Sequence, residues 1–160
     1  MGAGSIPTGP LPDLRRYGKI LLATDLAPSS EAATAEAFRL ATQLGSAVLI
    51  VNAIDAGALR RTAGRSPAVH QVRAAREAAM SDLVARGRAH GLQVSFLIWE
   101  GDPAESIIEA AMSEGVDLIV VGNRGHSGVG RALIGSVSDE VVRNAGCPVL
   151  VVRRSAAAAG

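Results

Sequence analysis

Val116-Asp-Leu-Ile-Val-Val121 runs directly into Gly122-Asn-Arg-Gly-His-Ser-Gly-Val-Gly-Arg-Ala-Leu-Ile-Gly135-Ser-Val-Ser138. The first six residues carry a short apolar run of the kind that forms a parallel strand buried on both faces. Behind it stands a fixed skeleton: Gly122-x-x-Gly125, nine residues, then Gly135-Ser136 at a helix start. A phosphate needs converging backbone N–H groups with no side chain in the way, and glycines permit both the close approach and the unusual backbone angles. Ser136, Val137 and Ser138 are expected to offer free amides at the favourable pole of the next helix, worth about 0.3–2 kcal/mol for an anion. The hydroxyls of Ser127, Ser136 and Ser138 are placed to add hydrogen bonds, and Arg124 and Arg131 to offset polyphosphate charge.

Outward from this stretch the pattern alternates. Lys19–Asp25, Ala47–Ile54, Leu92–Trp99, Val116–Val121 and Cys147–Val152 read as five strands. Between them lie a helix after Pro28-Ser-Ser30, a long helix with Val69, Val72, Ala79, Leu83 and Val84 on its apolar stripe, one after Asp102-Pro-Ala-Glu105 and one from Ser136 to about Ala145. Asp102 is expected to cap its helix, with Pro103 in the first helical position and Glu105 completing a capping box. Gly45 and Gly115 mark helix ends. The polar stretch Asp55–Pro67 reads as a connection. Strict alternation implies a doubly wound, Rossmann-like α/β domain, a five-stranded parallel sheet of order 3-2-1-4-5 with helices on both faces. In that order strands 1 and 4 are neighbours whose connections leave in opposite directions, opening a crevice at their carboxyl ends. Asp25 and Gly122 converge there. The ordered domain is expected over 17–154, with tails at 1–16 and 155–160.

Composition narrows the chemistry. With 16 Lys+Arg against 15 Asp+Glu, the chain lacks the basic excess that a nucleic-acid footprint requires. No apolar run is long enough to span a membrane and the N-terminus has no secretory pattern, so a cytoplasmic location is expected. Lys19, the only lysine, opens strand 1 at the far end of the sheet from the crevice. A lysine-bearing P-loop and a Schiff-base lysine at the site are therefore excluded. No G-x-G-x-x-G or G-x-S-x-G stands in the sequence. Cys147 reads as a small buried hydrophobe, His70 and His90 as helix-surface residues, and His126 as exposed or touching a terminal phosphate. Asp25 offers no second carboxylate for acid–base work. Efficient catalysis is not expected.

Taken together, these motifs resemble the universal stress protein family, whose ATP-binding members carry the G-x-x-G-x9-G-[S/T] loop after the fourth strand. The similarity spans about residues 17–154 and includes Thr24-Asp25, Asn52-Ala-Ile-Asp55, Gly101-Asp-Pro-Ala104 and Cys147-Pro-Val-Leu-Val-Val152. It implies that Asp25 contacts the nucleoside, that Ala53 lines an adenine pocket, and that Gly122, Gly125, Gly135, Ser136 and Val137 hold ribose and phosphates. Ala53 departs from the bulkier aliphatic residue common at that place and loosens the adenine contact. The implied ligand is ATP or another adenine nucleotide, with Mg²⁺ carried by the phosphates. Two further readings stay open beside it: a nucleotide-independent dimeric interaction module, and a slow ATPase. The fifth strand lies on an edge and is apolar on both alternations, which invites pairing. A homodimer through Cys147–Val152 is expected, and the resemblance implies the same.

Overall fold

The computed structural model describes residues 17–63, 67–123 and 135–153. The expected tails, and Arg124, Gly125, His126, Ser127 and Arg131, lie outside the described residues. In chain order the elements are β1 (Lys19–Ala23), a 3₁₀ turn (Pro28–Ser30), α1 (Glu31–Leu44), β2 (Ala47–Ile54), α2 (Ala56–Ala63), α3 (Pro67–Ala89), β3 (Val94–Glu100), α4 (Pro103–Ser113), β4 (Leu118–Gly122), α5 (Ser136–Asn144) and β5 (Val149–Val152). The sheet has five strands in the order β3-β2-β1-β4-β5, every pair parallel. This is the doubly wound architecture that the alternation predicts.

Period-two alternation along the strands divides the core into two layers. Ile20, Leu22, Val48 and Ile50 meet Ala33, Ala37 and Phe38 of α1 and Met80 and Val84 of α3 on one face. Leu21, Leu49, Val51 and Ile119 meet Ala104, Ile107 and Ala110 of α4 and Val141 of α5 on the other. Central β1 is buried on both faces from Ile20 to Ala23, which explains its unbroken apolar run. At Gly87 the α3 backbone comes so close to β3 that a Cβ would stand 2.5 Å from Val94 Cγ2. Helix and sheet can approach this closely only without a side chain there.

Caps fix the helix ends. Asp102 holds an extended backbone (φ −62°, ψ 131°), and its Oδ1 accepts from Ala104 N at 2.9 Å and Glu105 N at 3.1 Å. Such a cap contributes about 1 kcal/mol. Gly45 ends α1 in the left-handed region at φ 69°, where a side chain is strained. Lys19 is anchored at the amino end of the sheet, donating from Nζ to Glu114 O at 2.8 Å.

The stretch after β2 departs from expectation. It is not a plain connection: residues 56–63 form α2, because Asp55 caps it through Oδ1 to Ala58 N at 2.8 Å. β3 begins at Val94 and β5 at Val149, two residues later than the apolar runs begin. Pro148 still contributes its carbonyl, which accepts from Ile119 N at 3.0 Å.

Candidate nucleotide site

β1 ends at Ala23, and the chain turns away through a locally determined structure. Thr24 N still donates to Val51 O at 3.0 Å, the last bond tying this strand to β2. Thr24 Oγ1 then accepts from Leu26 N at 3.0 Å, and Asp25 Oδ1 accepts from Ala27 N at 2.9 Å and from the Ser30 hydroxyl. Short polar side chains thus replace the ladder with a turn of their own. Leu26 sits at φ 64°, the one non-glycine residue with positive φ among the described residues. That conformation costs about 1–2 kcal/mol, and the bonds on either side of it hold Asp25 at the mouth of the crevice.

Across the crevice, β4 ends at Gly122, paired with Val152 of β5. Among the described residues, a Cβ built on Gly122 would find nothing nearer than the Ala33 Cβ in the first turn of α1, 4.0 Å away. Asn123 N donates to Val152 O, and Asn123 O accepts from Gly135 N, both at 3.0 Å. The second bond clasps the two ends of the loop and brings the start of α5 to the carboxyl end of β4, beside β1.

Gly135 caps α5 with φ −58° and ψ 156°. Its carbonyl accepts from Asp139 N at 2.9 Å and from Ser138 Oγ at 3.0 Å. The buried Ser138 hydroxyl therefore spends its proton inside the helix and faces a ligand only as an acceptor. Among the described residues, no acceptor is bonded to the amides of Ser136, Val137 and Ser138. Three donors and the helix dipole are thus arranged at one end of α5.

The wall formed by β2 holds a feature that sequence reading missed. Backbone groups of odd-numbered β2 residues face β1: Ala47 N bonds Gly18 O, and Val51 O bonds Thr24 N. Even-numbered ones face β3, as Val48 N to Gln93 O and Ile54 O to Gly101 N show. By that parity the N–H and C=O of Ala53 point toward the line of β1. The ladder bond from Ala53 N to Thr24 O is not made, because the Asn52 side chain takes that carbonyl (Nδ2 to Thr24 O, 2.8 Å). Arg76 of α3 completes the arrangement, donating from Nη1 to Asn52 Oδ1 at 2.6 Å and to Ala53 O at 3.2 Å. Asn52 is 1% exposed. A polar residue inside the apolar strand Ala47–Ile54 was the available signal for a buried network, but nothing local pointed to Arg76, 24 residues away.

Two of the remaining groups depart from expectation: Cys147, expected buried, is only partly buried, and His90 lies in the turn after α3 rather than on the helix. Trp99 packs, partly buried, against the layer that contains α4. Burial, and secondarily the Asp117 carboxylate, push the Cys147 thiol above its ordinary range and make it a poor nucleophile. His70 and His90 are exposed.

The model of the universal stress protein family matches residues 16–153. The chain belongs to that family. Among its relatives, the universal stress protein MJ0531 of Methanocaldococcus jannaschii is 30% identical over 141 residues, spanning 86% of this chain and 83% of the relative. The solved structure of MJ0577, a universal stress protein from the same organism, superposes with a TM-score of 0.80 at 28% identity, covering 88% of this chain and 99% of that one. A universal stress protein solved in complex with cAMP superposes with a TM-score of 0.68 at 27% identity, covering 88% and 99%. In this universal stress protein the crevice between β1 and β4 is where the Thr24–Asp25 turn, Gly122 and the start of α5 meet.

Proposed function

We propose that this universal stress protein binds an adenine nucleotide, ATP foremost, at the carboxyl ends of β1 and β4, as a cytoplasmic regulatory protein without efficient catalysis. The observation that carries the reading is the set of amides at Ser136, Val137 and Ser138 that take no acceptor among the described residues, clasped beside β1 by the Asn123–Gly135 bond. Thr24 and Asp25 receive the nucleoside, Ala53 lines the base, and Gly122, Arg124, Gly125, Gly135, Ser136, Val137 and Ser138 surround ribose and phosphates. The relative solved with cAMP supports a nucleotide of this class. Among the described residues no three His, Cys, Asp or Glu side chains converge as metal ligands. Mg²⁺ in this reading arrives with the polyphosphate, which supplies its oxygens.

Calorimetric titration of the purified chain with ATP and with tripolyphosphate tests the reading. Asp25→Ala is expected to weaken ATP binding about tenfold, the scale of one lost hydrogen bond to a charged group. Tripolyphosphate, which lacks a nucleoside, should lose far less. Equal losses would remove Asp25 from the nucleoside site, and a chain that ignores every adenine nucleotide would end the proposal.

The edge strand carries the second half of the reading, a homodimer built by antiparallel pairing of two β5 strands. Ile119 N to Pro148 O and Asn123 N to Val152 O show that even-numbered β5 residues face β4. Val149 and Val151 therefore turn their backbone groups outward. Val151→Pro removes an outward N–H without touching the ladder to β4. In sedimentation velocity at micromolar concentration the parent chain is expected to run as a dimer and Val151→Pro as a monomer. A monomeric parent would dismiss this interface.

A further inference from the structure

β3 is the other edge of the sheet, and the bonds that tie it to β2 show which of its groups remain free. Val48 N bonds Gln93 O and Gly101 N bonds Ile54 O, so odd-numbered β3 residues face β2. Val94, Phe96, Ile98 and Glu100 turn their backbone groups outward. Among the described residues these groups find one partner, Arg88, which donates from Nη2 to Val94 O at 3.2 Å. Phe96, Leu97, Ile98 and Trp99 are each half-buried, the even pair against the layer of α1 and α3, the odd pair against that of α4. A seven-residue edge with four such side chains in a row invites a further strand.

Charge decides which strand fits. At the start of β3, Arg88 meets no carboxylate among the described residues. At its end Arg73 is shared by Glu77 at 3.2 Å and Glu100 at 2.9 Å, which leaves one carboxylate in excess. Two other arginines of α3 leave this balance alone: Arg76 reaches over β2 to Asn52, and Arg86 pairs with Glu31 of α1. The edge is therefore positive at one end and negative at the other. A copy of the same edge laid antiparallel sets each positive end on a negative one, whereas a parallel copy sets like on like.

We infer that β3 pairs with β3 of a second copy of this chain, antiparallel about a two-fold axis at Leu97, as a weaker contact than the one at β5. This register opposes the whole strand and matches outward groups with outward groups, Phe96 with Ile98 and Val94 with Glu100. Glu100 of the second copy then stands opposite Val94, beside Arg88 and on the face of the sheet that carries α3. The Val94 carbonyl keeps a second lone pair for the incoming strand. On the other face Leu97 meets its own copy, and Trp99 meets the small, exposed Ser95. With pairing at both edges of the sheet, dimers join into larger assemblies as concentration rises. The inference is independent of nucleotide binding.

Sedimentation equilibrium of the full Val151→Pro chain, whose β5 edge is blocked, tests it. This variant is expected to pass from monomer at micromolar concentration to dimer with a Kd on the order of 100 μM, the weak end that small interfaces occupy. Glu100→Arg or Arg88→Glu alone is expected to weaken that dimer about tenfold, because the two-fold axis makes each reversal act twice. The two together are expected to restore it. Both side chains are exposed, so neither change disturbs the core. Within one chain Arg88 is tied to the start of the strand and Glu100 stands at its end, about 20 Å away and beyond a Debye length at physiological salt. Only a second copy couples them. A double variant as weak as the single ones overturns the inference. So does a Val151→Pro chain that stays monomeric throughout, whether its β3 edge remains bare or takes a strand of another protein. An unsubstituted chain that is monomeric at micromolar concentration but dimerises higher up with the same dependence on Glu100 dismisses the β5 interface and upholds this one.

Discussion

Ser136→Pro is expected to fold as stably as the parent chain and to bind ATP about ten- to a hundredfold more weakly, the loss that follows when one charge-assisted hydrogen bond disappears. Both halves of this result follow from the start of α5. Proline suits the first helical position, where the missing N–H has no intrahelical acceptor and the fixed φ is already helical. The residue before a proline must be extended, and Gly135 is, with φ −58° and ψ 156°. Gly135 also keeps its own N–H bond to Asn123 O, so the clasp across the loop survives. What disappears is one of three unbonded amides, together with a hydroxyl. Thermal melting reports the first half and calorimetric titration the second. A variant that melts with the parent and binds ATP as tightly would show that the phosphates do not rest on this helix end.

The convergence of Asp25, Gly122 and the start of α5 at the carboxyl ends of β1 and β4 was legible in outline because its main determinants are local. A glycine skeleton between an apolar run and a helix start places amides at the carboxyl end of β4 in any doubly wound sheet, and the order 3-2-1-4-5 follows from alternation and connection rules. Asp102 and Gly45 likewise cap the elements that adjoin them in sequence. Three features were not legible, each for a definite reason. Asp55 reads equally well as the last polar residue of a strand and as a cap, and in the structure its side chain accepts from Ala58 N at the start of the helix over residues 56–63. Leu26 adopts φ 64° although leucine disfavours it, because the side chains of Thr24 and Asp25 hold the backbone on both sides. The partnership of Asn52 with Arg76 and Thr24 joins α3 to two strands through side chains distant in sequence, where no periodicity or spacing carries a signal.

That partnership makes Asn52 a sensitive polar position, since its side chain joins β1 to α3. Asn52→Leu keeps the volume of the side chain and removes both of its bonds, one given to Thr24 O and one received from Arg76. Among the described residues no buried side-chain polar atom lacks a partner in the parent, so the substitution breaks a satisfied network rather than a marginal one. A buried group left unpaired costs about 1–3 kcal/mol, more when the group is charged. With a carbonyl and a guanidinium both affected, the expected loss is about 2–4 kcal/mol of folding stability. Urea titration should show the midpoint falling with little change in slope, the pattern of lost stability without altered compactness. One compensation is open to the chain: freed from Asn52, Thr24 O faces the Ala53 N–H, and the ladder between β1 and β2 gains one further bond. That repair closes the crevice by using the donor a base would need, so the stability recovered is paid for in ATP affinity. An Asn52→Leu chain that keeps both its urea midpoint and its affinity for ATP would mean that the amide is a passenger, and that the crevice is held open by something other than the competition for Thr24 O.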